Sequence, residues 1–186
     1  MAVFDADWKT EFMQLRARLD ELRGRVFSDC RPMGDLWRCV TGPGKGPEGI
    51  PASGWSAFQP MERWGHYDQT TWFRMRAVVP KEFAGKRVVA LLNPCAYTDI
   101  PGIGPHDESG EALAYVNGKP FQGIDRHHDF MVLAEKGRAG DAYDIALEAC
   151  PSTRFDATHV FARAETAVMH RDVWDLYWDG AVLLDL

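Results

Sequence analysis

The sequence lacks long apolar runs, runs of basic residues and a targeting segment. No stretch approaches the roughly 18 consecutive apolar residues that a membrane-spanning helix needs. The formal net charge is −6 and Lys and Arg form no cluster, which argues against a nucleic-acid partner. The first residues, MAVFDADWKTEF, have neither the basic nor the apolar part of a secretory signal. We therefore expect a cytoplasmic protein that binds neither membrane nor nucleic acid.

Motifs that carry chemistry are also scarce. The four cysteines, Cys30, Cys39, Cys95 and Cys150, form no C-x-x-C pair, so the sequence supports neither a zinc ribbon nor a redox motif. There is no G-x-S-x-G nucleophile elbow and no G-x-x-x-x-G-K-[ST] phosphate loop. We interpret the cysteines as free thiols in a reducing compartment.

Aromatic residues and regular apolar patterns are what the sequence does have. Phe, Trp and Tyr make up 12% of the chain, which suits a β-rich core and equally a sugar-binding surface. Residues 7–27 carry one apolar stripe at helical spacing, which predicts an N-terminal amphipathic helix. We favour packing on its own domain over a coiled coil with a partner, because the stripe is shorter than three heptads. The stripe consists of Trp8, Phe12, Leu15, Leu19, Leu22 and Val26.

Short strands without intervening helices are predicted for most of the remaining chain. Asn117-Gly118 between two apolar runs predicts a β-hairpin, because a type I′ turn needs positive φ at both central residues. Residues 69–79 alternate with the period of a strand, whereas residues 41–54 and 93–110 are rich in Pro and Gly and predict long loops. Further strands are predicted at residues 36–40, 55–58, 86–92, 130–134, 143–149 and 159–170.

This order of elements predicts a mainly β fold, an antiparallel β-sandwich of the jelly-roll kind. We expect an N-terminal helical segment at residues 1–30, the sandwich at 31–170, and a short C-terminal helix or linker at 171–186. The apolar run at the end, Leu183–Leu186, is interpreted as the approach to a catalytic domain that this chain does not contain.

The segment after the hairpin is the first candidate site. It contains Asp125, His127, His128 and Asp129, whose side chains are of the types that bind metals. On a strand His127 and His128 would point to opposite faces and would not readily share a metal, while Asp125 and His127 could converge. Because the sequence selects no third ligand, we interpret the segment as a surface that contacts carbohydrate or another domain. An autonomous metal site is the less favoured alternative.

Two other features admit both a structural and a functional interpretation. Asp107, Glu108 and Glu111 crowd the end of the second loop, where paired carboxylates could serve glycoside hydrolysis, although a solvated acidic loop is commoner. Trp72 belongs to an aromatic cluster that either fills the core, which we favour, or offers rings on which sugars stack. We keep Trp72 with the 125–129 segment as a candidate contact residue.

Two spaced patterns point to a family. The first is W-F-x-x-x-x-x-x-P-x-x-x-x-G-x-x-V and the second, which is longer and more specific, is E-A-L-x-x-x-x-G-x-P-x-Q-G. They are formed by Trp72, Phe73, Pro80, Gly85 and Val88, and by Glu111, Ala112, Leu113, Gly118, Pro120, Gln122 and Gly123. Over about residues 55–186 the chain thereby resembles the N-terminal region of class II α-mannosidases of glycoside hydrolase family 38, especially their cytosolic and vacuolar branch.

The resemblance implies a galactose-binding-like jelly roll that precedes a catalytic domain. Members of the family are retaining exo-α-mannosidases that use a divalent cation, zinc or cobalt, and an aspartate nucleophile. Those groups belong to the catalytic domain, so the resemblance assigns no catalytic or metal-binding residue to this chain. The implied partner is the downstream catalytic domain of the same polypeptide.

Three functions therefore stand in order of preference. The first is a non-catalytic sandwich that packs on the catalytic domain of an α-mannosidase or mediates oligomerisation. The second is a carbohydrate-binding module with its own site for mannose-containing oligosaccharides. The third is an autonomous metallohydrolase.

Overall fold

A computed structural model of the chain shows antiparallel β-sheets with one helix near each end of the sequence. It describes residues 7–42, 49–66, 69–96, 98–100, 104–106, 110–150 and 158–185. The helices are α1, Asp7–Arg23, and α2, Arg171–Asp185. The strands in these ranges are β1 Phe27–Pro32, β2 Gly34–Thr41, β3 Ser56–Ala57, β4 Arg63–Trp64, β5 Thr70–Val78, β6 Val88–Asn93, β7 Thr98–Ile100, β8 Gly104–His106, β9 Glu111–Val116, β10 Lys119–Ile124, β11 Phe130–Ala134, β12 Ala142–Cys150, β13 Thr158–Val160 and β14 Arg163–Met169.

Two larger sheets face each other and enclose the main core. The first has the strand order β1-β14-β6-β11 and the second β10-β9-β12-β5-β2-β3, and neighbouring strands in both are antiparallel. Alternate residues of each strand point into the space between the sheets, as the period of two requires. The core residues from the two sheets include Phe73, Met75, Ala77, Ala90, Leu92, Ala114, Met131, Ile145, Leu147 and Ala164. The antiparallel sandwich predicted from the sequence is confirmed.

The hairpin turn has the backbone geometry that the sequence predicts. Asn117 has φ 51° and Gly118 has φ 77°, both in the left-handed region that a type I′ turn requires. The Asn117 side-chain oxygen accepts a hydrogen bond of 3.0 Å from the backbone N–H of Asp144, which ties the turn to β12. The hairpin of β9 and β10 therefore forms one edge of the second sheet, with β10 as the edge strand.

A third, smaller sheet has the order β4-β13-β7-β8. Its strands β7 and β8 lie inside residues 93–110, which we predicted to be a loop without regular structure. That prediction is wrong in this part, because Thr98 pairs with both His106 and His159. The pairing partner on β13 is distant in sequence, so no local signal could reveal it.

The first helix ends earlier than the apolar stripe predicts. It stops at Arg23, before Gly24, instead of continuing to residue 27. Phe27 begins β1, which pairs with β14, and its ring lies 5.3 Å from that of Phe130 between centroids. Sheet pairing thus overrides the helical periodicity of this segment.

The proposed division of the chain at residues 30 and 170 stays a prediction.

The two helices pack on each other and on the first sheet. The Trp174 ring of α2 lies 5.0 Å from the Phe130 ring of β11, between centroids. At Gly180 a Cβ atom would lie 2.6 Å from Leu19 Cδ2 of α1, so glycine permits the close approach of the helices. No residue of α2 is fully buried. Neither described helix is long and apolar enough to cross a membrane.

Candidate functional site

Residues 125–129 form a turn between β10 and β11 that is organised by one carboxylate. Asp125 Oδ1 accepts hydrogen bonds from the backbone N–H groups of His127, at 2.6 Å, and His128, at 2.7 Å. The Nδ1 atom of His128 lies 3.1 Å from each Asp125 carboxylate oxygen. The Asp129 carbonyl accepts a 2.7 Å bond from Leu92 N–H, which joins the turn to β6.

The two histidine rings of the turn have different partners. His127 Nε2 accepts a 2.9 Å hydrogen bond from Arg126 Nε, whereas the His128 ring contacts Asp125. The strand alternation that would let Asp125 and the His127 ring converge does not apply here, because the segment is a turn, in which Asp125 accepts from the His127 backbone N–H and contacts the His128 ring. Within the described ranges, no three or more His, Cys, Asp or Glu side chains are grouped so that they could hold a metal ion.

The environment of Asp125 favours its charged form. Burial raises the pKa of this carboxyl, but hydrogen bonds from the His128 ring and from the backbone of His127 and His128 outweigh burial, and the net pKa is lowered. A carboxyl with a lowered folded-state pKa contributes stability above its unfolded pKa of about 3.9. That contribution to stability is lost as the pH falls through the folded-state pKa of Asp125.

We predict that Asp125→Ala lowers the free energy of unfolding by about 1 kcal/mol at pH 7, because hydrogen bonds to a charged acceptor are lost at a partly exposed site. The difference from the wild type should narrow as the pH falls below about 4. Urea unfolding at several pH values measures both effects. Asp129→Ala removes the same charge from the same turn and is the matched control. Equal losses for the two variants would contradict the role given to Asp125.

Asp125 also lines an open groove of about 470 Å³ beside β9, β10 and β12. Glu148, which is 9% exposed, accepts a 2.8 Å hydrogen bond from the Tyr115 hydroxyl, and burial together with this bond raises the pKa of Tyr115 to about 12. Of the acidic residues at the end of the second loop, Glu111 reaches the groove, while residues 107 and 108 lie outside the described ranges. The lining consists of Glu111, Ala112, Leu113, Gly123, Ile124, Asp125, Glu148 and Cys150.

Trp72 does not reach this surface. Its side chain is 0% exposed and packs with Cys39 and Tyr115 beneath Ile50 and Trp55. The indole therefore has no face on which a sugar could stack, and we withdraw Trp72 from the candidate contact residues. The sequence pattern places Trp72 on the outer face of β5, but it cannot show that residues 50–55 cover that face.

A buried thiol and imidazole meet near Gly110, a juxtaposition that the sequence does not signal. A Cβ atom on Gly110 would lie 2.9 Å from Cys95 Sγ and 3.1 Å from His159 Nε2. Burial raises the pKa of the Cys95 thiol and lowers the pKa of His159 to about 4. Both groups are therefore neutral at pH 7, unlike the thiolate–imidazolium pair of a cysteine nucleophile. The His159 ring packs against that of Trp64, with 4.9 Å between the centroids and 37° between the ring planes.

The chain is similar in sequence to known proteins. The family model described as "Alpha-mannosidase, jelly roll domain" matches residues 48–176. Alpha-mannosidase 2C1 of Mus musculus is 27% identical over 209 residues, and the match spans 98% of this chain and 18% of the mouse protein. The chain thus corresponds to less than a fifth of that relative's length, and its two facing antiparallel sheets agree with a jelly roll.

Proposed function

Since the chain belongs to the family of α-mannosidase jelly roll domains, we propose that it is a non-catalytic module that packs on the catalytic domain of a larger α-mannosidase. The parent enzyme would hydrolyse terminal α-mannosyl residues. The mouse relative is more than five times as long as the part of it that this chain matches, which supports a larger parent protein. This chain's contribution would be structural, either by supporting the catalytic domain or by shaping the approach to its active site.

The apolar surface of the helix pair is the observation that carries the proposal. We call the large exposed apolar residues of α1 and α2 the helix-pair surface. Their exposed fractions range from 45% for Trp178 to 71% for Leu183. So many large apolar side chains exposed on two packed helices favour an interaction surface. The helix-pair surface comprises Trp8, Met13, Leu15, Leu176, Trp178, Val182 and Leu183.

The arrangement of α2 favours further burial. Three of its five charged residues, Asp172, Asp175 and Asp179, recur at spacings of three and four and so share one side of the helix. Leu176 and Leu183, seven residues apart, lie beside these aspartates and face solvent. A helix that leaves large apolar side chains on its solvent side is typical of one that a further partner covers. A catalytic domain seated there would bury these side chains.

We place the catalytic centre in the catalytic domain of the parent enzyme. The family resemblance implies that the divalent cation, zinc or cobalt, and the nucleophile belong to that domain. The Cys95–His159 pair of this chain is neutral and so differs from the thiolate–imidazolium pair of a cysteine nucleophile. Four free cysteines, of which Cys39 and Cys95 are buried, suit a reducing compartment and support the cytoplasm as the location.

The direct test of a non-catalytic role is activity of the isolated chain. We expect no turnover when it is incubated with an aryl α-mannoside and zinc or cobalt. The activity of an intact α-mannosidase under the same conditions is the positive control. Turnover that disappears on His127→Ala would overturn the proposal and favour an autonomous metallohydrolase.

Sugar binding is a second candidate function, favoured by the groove beside β9 and β12. Carboxylates such as Asp125 and Glu148 accept hydrogen bonds from sugar hydroxyls, and the partly exposed Leu113 offers an apolar contact. Calorimetric titration with mannose oligosaccharides distinguishes the two functions. Heat that is lost on Asp125→Ala would establish a binding module, while the absence of heat is the result that a purely structural module predicts.

A further inference from the structure

A second pocket, on a different part of the sandwich from the groove, lies between β2, β4, β5 and β13. Its volume is about 280 Å³, close to the lower end of the roughly 300–1,000 Å³ that is usual for small-molecule sites. That volume suits one small ring or a short chain of atoms. The polar side chains that line it include Arg38, Arg63, Gln69, Thr71 and Thr158.

Two arginines in this pocket are held in place by a chain of hydrogen bonds. Arg38 Nη1 donates to the Arg63 carbonyl at 3.2 Å, and Arg63 Nη1 donates to Thr158 Oγ1 at 3.1 Å. The Arg38 guanidinium also lies 5.7 Å from the centroid of the Phe58 ring. Side chains fixed in this way lose little conformational entropy when a ligand binds.

The polar groups of the pocket favour a ligand rich in hydrogen-bond acceptors. Arginine is a donor only, and its planar guanidinium matches the oxygens of carboxylates and phosphates. No Asp or Glu occurs among the lining residues that the structure describes, although the whole chain has a net charge of −6. Glu62, which lies 3.6 Å from Arg38 Nη1, is not part of the lining.

Thr71 supplies a further polar group at the wall of the pocket. The residue is 1% exposed, and its Oγ1 atom has no hydrogen-bond partner among the described residues. Buried hydroxyls are usually satisfied, so an unpartnered one beside a pocket is typical of a site that lacks its ligand or a bound water.

We infer that this pocket, between β2, β4, β5 and β13, binds a small organic oxyanion, with the guanidinium groups of Arg38 and Arg63 facing its carboxylate or phosphate. Gln69, Thr71 and Thr158 add groups that can bond to hydroxyls on the body of the ligand. A sugar acid or a sugar phosphate combines these features at a size that fits. This inference is independent of the proposed packing role, because the pocket shares no residue with the helix-pair surface.

Calorimetry with gluconate, glucose 6-phosphate, inorganic phosphate and neutral glucose tests the inference. We expect at least one of the two organic oxyanions to bind with a Kd below about 10 mM and neutral glucose to bind at least tenfold more weakly. Inorganic phosphate shows whether the anionic group alone is sufficient. The inference is overturned if neither organic oxyanion binds or if glucose binds equally well.

Two variants and a control locate the binding. Arg63→Gln should weaken binding by about tenfold or more, since a charge-assisted bond is lost. Gln69→Ala changes an exposed residue and should weaken binding severalfold without affecting the fold, which urea unfolding verifies for both variants. Arg76→Gln removes the same charge from an exposed site on β5, where Arg76 pairs with Asp144, and should leave binding unchanged. Unaltered affinity in both pocket variants would contradict the assignment.

Discussion

Phe73→Ala is expected to lower the free energy of unfolding by about 3–5 kcal/mol, the range for removing a fully buried phenylalanine. The Phe73 ring is the centre of an aromatic group within the core. Its centroid lies 5.1 Å from that of Phe58, 5.3 Å from Trp64 and 4.8 Å from Phe161. Alanine would lose these contacts and leave a cavity that the two sheets cannot close without distortion.

The loss is large in comparison with the total stability of a domain, about 5–15 kcal/mol. Urea unfolding of the isolated chain, followed by far-ultraviolet circular dichroism, measures it. Phe121→Ala is the matched control, because Phe121 lies on the edge strand β10 with 49% of its surface exposed and should cost less than about 1 kcal/mol. If the two variants lost equal stability, the aromatic group would not be the centre of the core.

Replacing Leu176, Val182 and Leu183 together with glutamine is expected to weaken docking on the catalytic portion of the parent enzyme by about 100-fold. Each side chain is more than half exposed in the isolated chain, so its contact with a partner would contribute about 1 kcal/mol. Glutamine has a helix propensity close to that of leucine, so α2 should persist. Calorimetric titration of the chain into the separately produced catalytic portion measures the change in Kd.

The control for this variant keeps the number of substitutions but moves them to the second sheet. Val78, Leu113 and Phe121 are exposed apolar residues there, and their replacement with glutamine should not change docking. Equal affinities for the helix variant and the wild type would show that the catalytic domain binds another surface. Sedimentation velocity of the chain alone tests the alternative function, oligomerisation. If the helix-pair surface formed a dimer, the helix variant would be monomeric and the sheet variant would remain dimeric.

Local signals in the sequence were sufficient to predict much of the fold. Asn117-Gly118 specified its turn because few residue pairs tolerate positive φ twice in succession. The apolar run within residues 86–92 was predicted to be a strand, and it forms β6, which lies between β14 and β11. Residues 130–134 were assigned to a strand with the observed bounds of β11.

The elements that were missed depend on distant partners. β1 contains polar residues and Pro32, and it is a strand because it pairs with β14 at the other end of the chain. Similarly, Trp72 lies on the outward face of β5, but residues 50–55 cover it. In the 125–129 turn, the pairing of Asp125 with His128 followed from turn geometry, which residue alternation does not describe.

The central claim is that this jelly roll serves a catalytic domain by packing on it through the helix-pair surface. The most direct test is the thermal unfolding midpoint of the separately produced catalytic portion, measured with increasing amounts of the isolated chain. We predict that the midpoint rises with chain concentration, because a partner that binds only the folded state stabilises it by about 2.7 kcal/mol at 100 times its Kd. A midpoint that does not change at any concentration of the chain would contradict the claim.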